Sequence, residues 1–191
     1  MRRTIIAAVM GVVAQGASAQ TALTAAQARD QLFDGGGSVL VVQDAATFLS
    51  ETDRATLRAM PRVAELKYYG ALAAAPASGL TSDATTGAFN FHSVAEARAA
   101  ALRGCEARRA DGPACQIVAD VVPRGYRPGR AASLNQDATG AVQGRSLARS
   151  GGHLAASAST GAWGLGADDR AAVSACRQGG GAADCTVVVR D

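Results

Sequence analysis

The sequence predicts an α+β protein: two pseudo-equivalent ββαβ units with antiparallel strands, each stapled by a disulfide, preceded by an α-β-α lead-in. Three observations carry this. Two stretches of the chain resemble one another, the four cysteines fall two to a stretch, and β-branched runs alternate with alanine-rich segments whose apolar residues recur at helical spacing.

The chain opens on Met1-Arg2-Arg3, an apolar run over residues 4–14, and Ala17-Ser18-Ala19. A basic start, an apolar stretch and an A-x-A site predict a secretory signal peptide over residues 1–19, cleaved before Gln20. The run is shorter than the roughly 20 apolar residues of a membrane helix. No later segment reaches that length, so no membrane span is expected after cleavage. The expected destination is a bacterial periplasm or the exterior.

In the lead-in, residues 20–67, Thr24-x-x-Gln27 is a capping box that predicts a helix over residues 24–33, ended by Gly35-Gly36-Gly37. Val39-Leu40-Val41-Val42 reads as a strand. Ser50 caps a second helix, which Pro61 stops or kinks.

The first unit, residues 68–122, begins with strands at 68–75 and 88–91 joined by a loop over 76–86. Ser93-Val94-Ala95-Glu96 then starts a helix as a capping box. Val94, Ala97, Ala101, Leu102 and Cys105 share one face, so the cysteine points inward. Beyond Cys115, Ile117-Val118 opens a buried strand. Residues 123–152, rich in Gly, Arg and Pro, read as a connector with room for a short helix.

The second unit, residues 153–191, repeats this logic: strands at 153–158 and 162–165, a tight turn at Ser159-Thr160-Gly161, and a helix capped by Asp168 or Asp169. Ala172, Val173 and Cys176 share its inner face, and Val187-Val188-Val189 closes the unit as a strand. Thr86-Gly87-Ala88-Phe89-Asn90-Phe91 corresponds to Thr160-Gly161-Ala162-Trp163-Gly164-Leu165. The first unit has three more residues before its first cysteine. That is close to one helical turn, so the helix face stays in register.

The cysteines are spaced C-x9-C and C-x8-C, unlike the C-x2-C of zinc sites, and an even count in an exported chain reads as two disulfides. Each unit places its first cysteine at a helix end and its second at the start of a strand. The pairs Cys105–Cys115 and Cys176–Cys185 follow, each constraining the unfolded chain by roughly 2–3 kcal/mol.

Aromatics make up 4% of the residues, so the core must be built from Ala, Val and Leu. One lysine stands against eighteen arginines, and a net charge of +3 spread along the chain has neither the density nor the clustering of a nucleic-acid footprint. No nucleic-acid partner is expected.

The run Ser159-Thr160-Gly161-Ala162-Trp163-Gly164, the alanine-rich helix ending at Cys176, the glycine turn and Cys185-Thr186-Val187-Val188-Val189 carry a resemblance. Residues 153–189 resemble the exported domain-of-unknown-function family numbered 4189, and residues 69–121 resemble it more loosely. The resemblance covers about half of the chain beyond the expected signal peptide. It implies a secreted or periplasmic domain with a helix-to-strand disulfide and no established activity. Chains of this layout also resemble bacterial proteins that sometimes carry the label of 5-aminolevulinate synthase. The residues argue against that chemistry, because such an enzyme is a large fold holding pyridoxal phosphate as a lysine Schiff base. Lys67, the sole lysine, lies at a helix-to-strand junction in a much shorter chain. No cofactor is expected.

No G-x-S-x-G, H-E-x-x-H, P-loop or G-x-G-x-x-G motif is present. His92 stands between a strand and a helix cap, where a base beside a helix start could meet an anion; a junction residue is the plainer reading. His153 opens a strand and carries the same two readings. Asp83 and Asp137 would pair as acid and base if Leu134-Asn135-Gln136-Asp137-Ala138-Thr139-Gly140-Ala141 were a true echo of residues 80–88; as turn residues they need no such role. Tyr68, Tyr69, Phe89, Phe91 and Trp163 either fill the core or line a binding surface.

The expected function is that of an exported, non-enzymatic protein acting by binding an envelope component or another protein. The alternatives are an envelope hydrolase using His92 or His153, and an inhibitor of a foreign hydrolase that presents the loop over residues 76–86.

Overall fold

A computed structural model of the chain describes residues 22–33, 36–62, 64–130 and 132–191. The expected signal peptide and its cleavage site lie outside them. In chain order the described residues form α1 (Ala25–Gln31), β1 (Ser38–Val42), α2 (Glu51–Ala59) with a 3-10 turn at Met60–Arg62, β2 (Gly70–Ala74), β3 (Thr86–Ala88), α3 (Val94–Glu106) and β4 (Gln116–Pro123). They continue as α4 (Gln136–Gln143), α5 (Ser146–Arg149), β5 (His153–Ala156), β6 (Trp163–Gly166), α6 (Asp169–Gly180) and β7 (Thr186–Arg190).

Short polar side chains set the helix starts. Thr24 and Ser50 form complete capping boxes with Gln27 and Asp53. Ser93, Asn135 and Asp168 each accept the backbone N–H three residues on, at 3.2, 2.8 and 2.8 Å. Each bond satisfies one of the donors that a helix start leaves unpaired. Of the two expected caps of α6, Asp168 is the cap and Asp169 is the first helical residue.

The strands form two antiparallel sheets, ordered β1-β4-β2-β3 and β6-β5-β7. In both, the first strand of the ββαβ run lies between the other two. The ladder to the last strand shifts register between Leu72 and Ala73 in one sheet and between Leu154 and Ala155 in the other.

The central strands of each sheet are covered on both faces, because their alternate residues are apolar on both sides. Ala71 and Ala73 pack on Ala97, Ala101 and Cys105 of α3, while Leu72 and Ala74 face Leu49 and Leu57. In the second sheet Ala155 meets Ala172 and Cys176 of α6, and Leu154 and Val189 face Ala28, Leu134, Val142 and Leu147. The scarcity of large side chains is met by close approach. Helices lie directly on strands of alanine and glycine.

Residues 20–67, read as one lead-in, are shared between the sheets. β1 joins the first as an edge strand, whereas α1 packs beside α4 and β7 of the second, and Leu23 extends it through a parallel bridge to Val189. Residues 123–152, expected as a connector, supply α4 and α5, whose Ala138, Val142 and Leu147 are core residues. The strand expected at residues 88–91 is instead Thr86–Ala88. Asn90 has a φ of 62°, which no strand accommodates, so the regular ladder ends before it.

The disulfides are Cys105–Cys115 and Cys176–Cys185, with α-carbons 6.2 and 6.1 Å apart. All four cysteines are buried. Each crosslink closes a loop of about ten residues, so the double variant C176A/C185A is expected to lose about 2–3 kcal/mol of unfolding free energy, read by urea titration against the oxidised protein. A loss under about 0.5 kcal/mol would show that the crosslink contributes nothing in the unfolded chain.

Candidate functional site

His92 sits at the junction of the two sheets, 5% exposed. Its Nδ1 accepts the backbone N–H of Asn135 at 3.1 Å, and its Nε2 faces the carbonyl of Ala162 at 3.1 Å. An acceptor role at Nδ1 and a carbonyl at Nε2 require the neutral tautomer with hydrogen on Nε2. Burial holds its pKa below the usual histidine value. Both ring nitrogens are thus engaged by backbone groups, one at the start of α4 and one just before β6, leaving neither to take a substrate proton.

His153, at the start of β5, places Nδ1 2.8 Å from Oδ1 of Asp169. Arg190 donates to both oxygens of the same carboxylate, through Nε at 3.1 Å to Oδ1 and through Nη2 to Oδ2. Those bonds, Arg190 first and His153 second, hold the Asp169 pKa below the ordinary aspartate value. A histidine oriented by a carboxylate is half of a nucleophilic triad. Among the described residues no serine, threonine or cysteine side chain hydrogen-bonds to His153, and the residue lines none of the main clefts.

Asp137 is engaged by a cation and an amide. Its oxygens take the Lys67 ammonium at 2.8 and 2.9 Å and the Asn90 amide at 2.9 Å, while Asp83 lies exposed in the loop after β2. The apparent echo between residues 80–88 and 134–141 has no structural counterpart: the first is turn and strand, the second the start of α4. The bond to Asp137 raises the Lys67 pKa. Imine formation needs a neutral amine, so the shift runs against a Schiff-base role.

Tyr68 and Tyr69 are core residues, 1% and 3% exposed; Phe89, Phe91 and Trp163 are half-buried. The loop after β2 folds down onto the sheet. Leu80 and Ala84 are buried, and the loop is braced by Thr85 Oγ1 donating to the Leu80 carbonyl at 2.6 Å.

The residues around His92 do enclose a cleft of about 460 Å³ between the sheets. Leu23, Leu134 and Val189 form an apolar wall, and Ser93, Glu96 and Arg130 supply the polar groups. Arg130 lies 4.0 Å over the Phe33 ring and donates to the carbonyls of Gln31 and Leu32, both at 2.9 Å. Glu96 comes from the first turn of α3. Burial raises its pKa, opposed by the neighbouring polar groups of Ser93 and helped by the nearby Asp184. One of its oxygens, Oε2, is buried without a hydrogen-bond partner among the described residues. Glu96 and Arg130 line the same cleft without forming an ion pair.

Glu96 was legible in the sequence only as a helix-start signal. Nothing in the sequence singled out Arg130 or Asn135, because their roles depend on contacts with segments far away in the chain. Among the described residues no three His, Cys, Asp or Glu side chains cluster as metal ligands, and no helix is long and apolar enough to cross a membrane. The chain matches no protein-family model, no curated protein and no solved structure.

Proposed function

We propose that the protein is an exported binding protein of the cell envelope, periplasmic or secreted, whose ligand occupies the cleft between the sheets. The observation that carries this reading is Glu96, which lines that cleft and whose Oε2 is buried without a hydrogen-bond partner among the described residues. A buried carboxylate oxygen without a donor is unfavourable, and a ligand that supplies the donor recovers that cost. The ligand is therefore a small molecule with an aliphatic body, which meets Leu134 and Val189, and a primary ammonium group, which meets Glu96. Arg130 on the same wall favours a neutral or anionic far end. The two disulfides suit an oxidising compartment.

The two ββαβ units are, on this reading, equivalent copies of one module. Their common strand order and the register shift at Leu72/Ala73 and Leu154/Ala155 support this.

Calorimetric titration with n-hexylamine, 1-hexanol and hexanoate tests the ligand class. The amine is expected to bind best, binding should strengthen as pH rises through the raised Glu96 pKa, and Glu96→Gln should weaken it at least about tenfold. Equal binding of amine and alcohol, or no heat from any of the three, would exclude the cleft as an ammonium site.

A further inference from the structure

β1 is an edge strand whose sequence, Ser38-Val39-Leu40-Val41-Val42, contains no charge, proline or glycine. Edge strands are normally guarded against pairing by such residues, by a bulge, by shortness or by a covering segment. The other edges have some of these guards. β3 is three residues long, β6 carries two glycines in four residues, and β7 is bridged on its outer side by Leu23. Val39 and Val41 are 44% and 45% exposed, and they are the exposed large hydrophobic residues of the described chain.

The hydrogen-bond parity of β1 shows which groups its outer edge presents. Gln43 donates its backbone N–H to Val118, and Arg124 donates to the carbonyl of Gly37. In an antiparallel ladder the residues bonded to the partner alternate, so Gly37, Val39, Val41 and Gln43 turn their backbone groups toward β4. Ser38 lies opposite Pro123, which has no N–H to offer, in agreement with this parity. Ser38, Leu40 and Val42 therefore direct N–H and C=O away from the sheet, and no backbone bond from them to a segment outside the ladder is formed among the described residues.

We propose that the protein forms a two-fold homodimer in which β1 pairs antiparallel with β1 of a second copy, joining the two four-stranded sheets into one. A two-fold axis normal to the sheet at Leu40 sets Leu40 opposite Leu40 and Ser38 opposite Val42. These are the hydrogen-bonded positions, and they form about six backbone hydrogen bonds. The same register sets Val39 of each copy opposite Val41 of the other at non-hydrogen-bonded positions, where side chains lie closest. The four valines then form one stripe on the face that also bears Val122 and Tyr126. The strand is its own complement, so the contact is isologous and closes at two copies. A second copy is the occupant this pattern specifies, because both the hydrogen-bonding and the apolar positions match under a single rotation.

Sedimentation of the purified protein over about 1–300 μM tests the dimer and its register, at concentrations typical of moderate self-association. Wild type is expected to sediment as a dimer at the upper end. V39K/V41K, which sets like charges across the axis, should weaken dimerisation at least about tenfold, and V39E/V41K, which sets opposite charges across it, should recover most of the loss. Both positions are exposed, and circular dichroism melts will show whether each variant is folded. A wild type that stays monomeric throughout, a V39K/V41K protein that dimerises as wild type does, or a V39E/V41K protein no tighter than V39K/V41K would each overturn the proposal. Monomeric wild type would also leave the edge to a strand from a different protein.

Discussion

Gly164→Ala and Gly166→Ala are each expected to lower the unfolding free energy by about 3 kcal/mol, and the double variant is not expected to fold. β6 reads Trp163-Gly164-Leu165-Gly166, and its two sides do different work. Trp163 and Leu165 pack toward the core under α1 and α4, while the glycines face α6. A Cβ on Gly164 would stand 2.2 Å from the backbone nitrogen of Cys176, and one on Gly166 would stand 2.2 Å from that of Ala172. Backbone cannot rotate aside as a flexible side chain can, so the whole helix must lift. Lifting it opens the Ala155–Ala172–Cys176 contact and strains the geometry around the Cys176–Cys185 crosslink. Both substitutions load the same helix, so their effects are coupled rather than additive. Gly140→Ala is the control with the opposite sign. A Cβ there meets nothing within 4 Å, and Gly140 lies inside α4, so alanine should stabilise by about 0.5–1 kcal/mol. Urea titrations of the three single variants decide the matter; a Gly166→Ala protein as stable as wild type would mean that α6 does not sit on β6 as described.

Asn135→Ala is expected to cost about 3–4 kcal/mol, more than the roughly 1 kcal/mol of an ordinary helix cap. Asn135 is fully buried and uses both ends of its amide. Oδ1 accepts from the backbone of Ala138 at 2.8 Å, capping α4. Nδ2 donates to the carbonyls of Asn90 at 3.0 Å and Gly161 at 2.8 Å, one before each ββαβ helix. Alanine would leave one donor and two acceptors unpaired at a site closed to water. Asn135→Asp keeps the cap but turns a carboxylate toward two carbonyls, so it should be no better than alanine at neutral pH and should recover in acid. The wild-type network has the contrary dependence. His92, bonded to the Asn135 backbone, has a folded pKa depressed below 6.5, the unfolded value. Its contribution is complete above that value and is lost as pH falls toward and through the folded pKa, with a slope of up to about 1.4 kcal/mol per pH unit. His92→Gln should flatten that part of the profile. An Asn135→Ala protein that loses under 1 kcal/mol would reduce the residue to a simple cap.

The ββαβ order and the disulfide pairs were legible because each rests on neighbours in sequence. Ser93, Asp168, the 3.6-residue spacing of Ala97, Ala101 and Cys105, and the β-branched run Val187-Val188-Val189 act within a few residues of themselves. The end of β3 was misjudged for a local reason too: Asn90 adopts a left-handed backbone that Phe89 and Phe91, both strand formers, conceal. The site was less legible. His92 stood out by residue type, but its role follows from Asn135 and Ala162, 43 and 70 residues away. Glu96 was visible as the far member of an expected capping box, but only the Ser93 half of that box forms, and the orphaned Oε2 of Glu96 is what marks it.

By itself the sequence determined the periodicities, caps and crosslinks, since helix starts, strand alternation and short disulfide loops are settled by interactions spanning about ten residues or fewer. The tertiary structure alone decided how those pieces are shared. It placed α1 on the second sheet and β1 on the first, drew residues 123–152 into the core through α4 and α5, and left Val39 and Val41 on an open edge. The physical reason is burial. An alanine-rich helix or strand offers much the same shallow apolar surface to many partners, so its own residues do not specify which it will meet. The choice falls to whichever arrangement covers both faces of the central strands of both sheets at once.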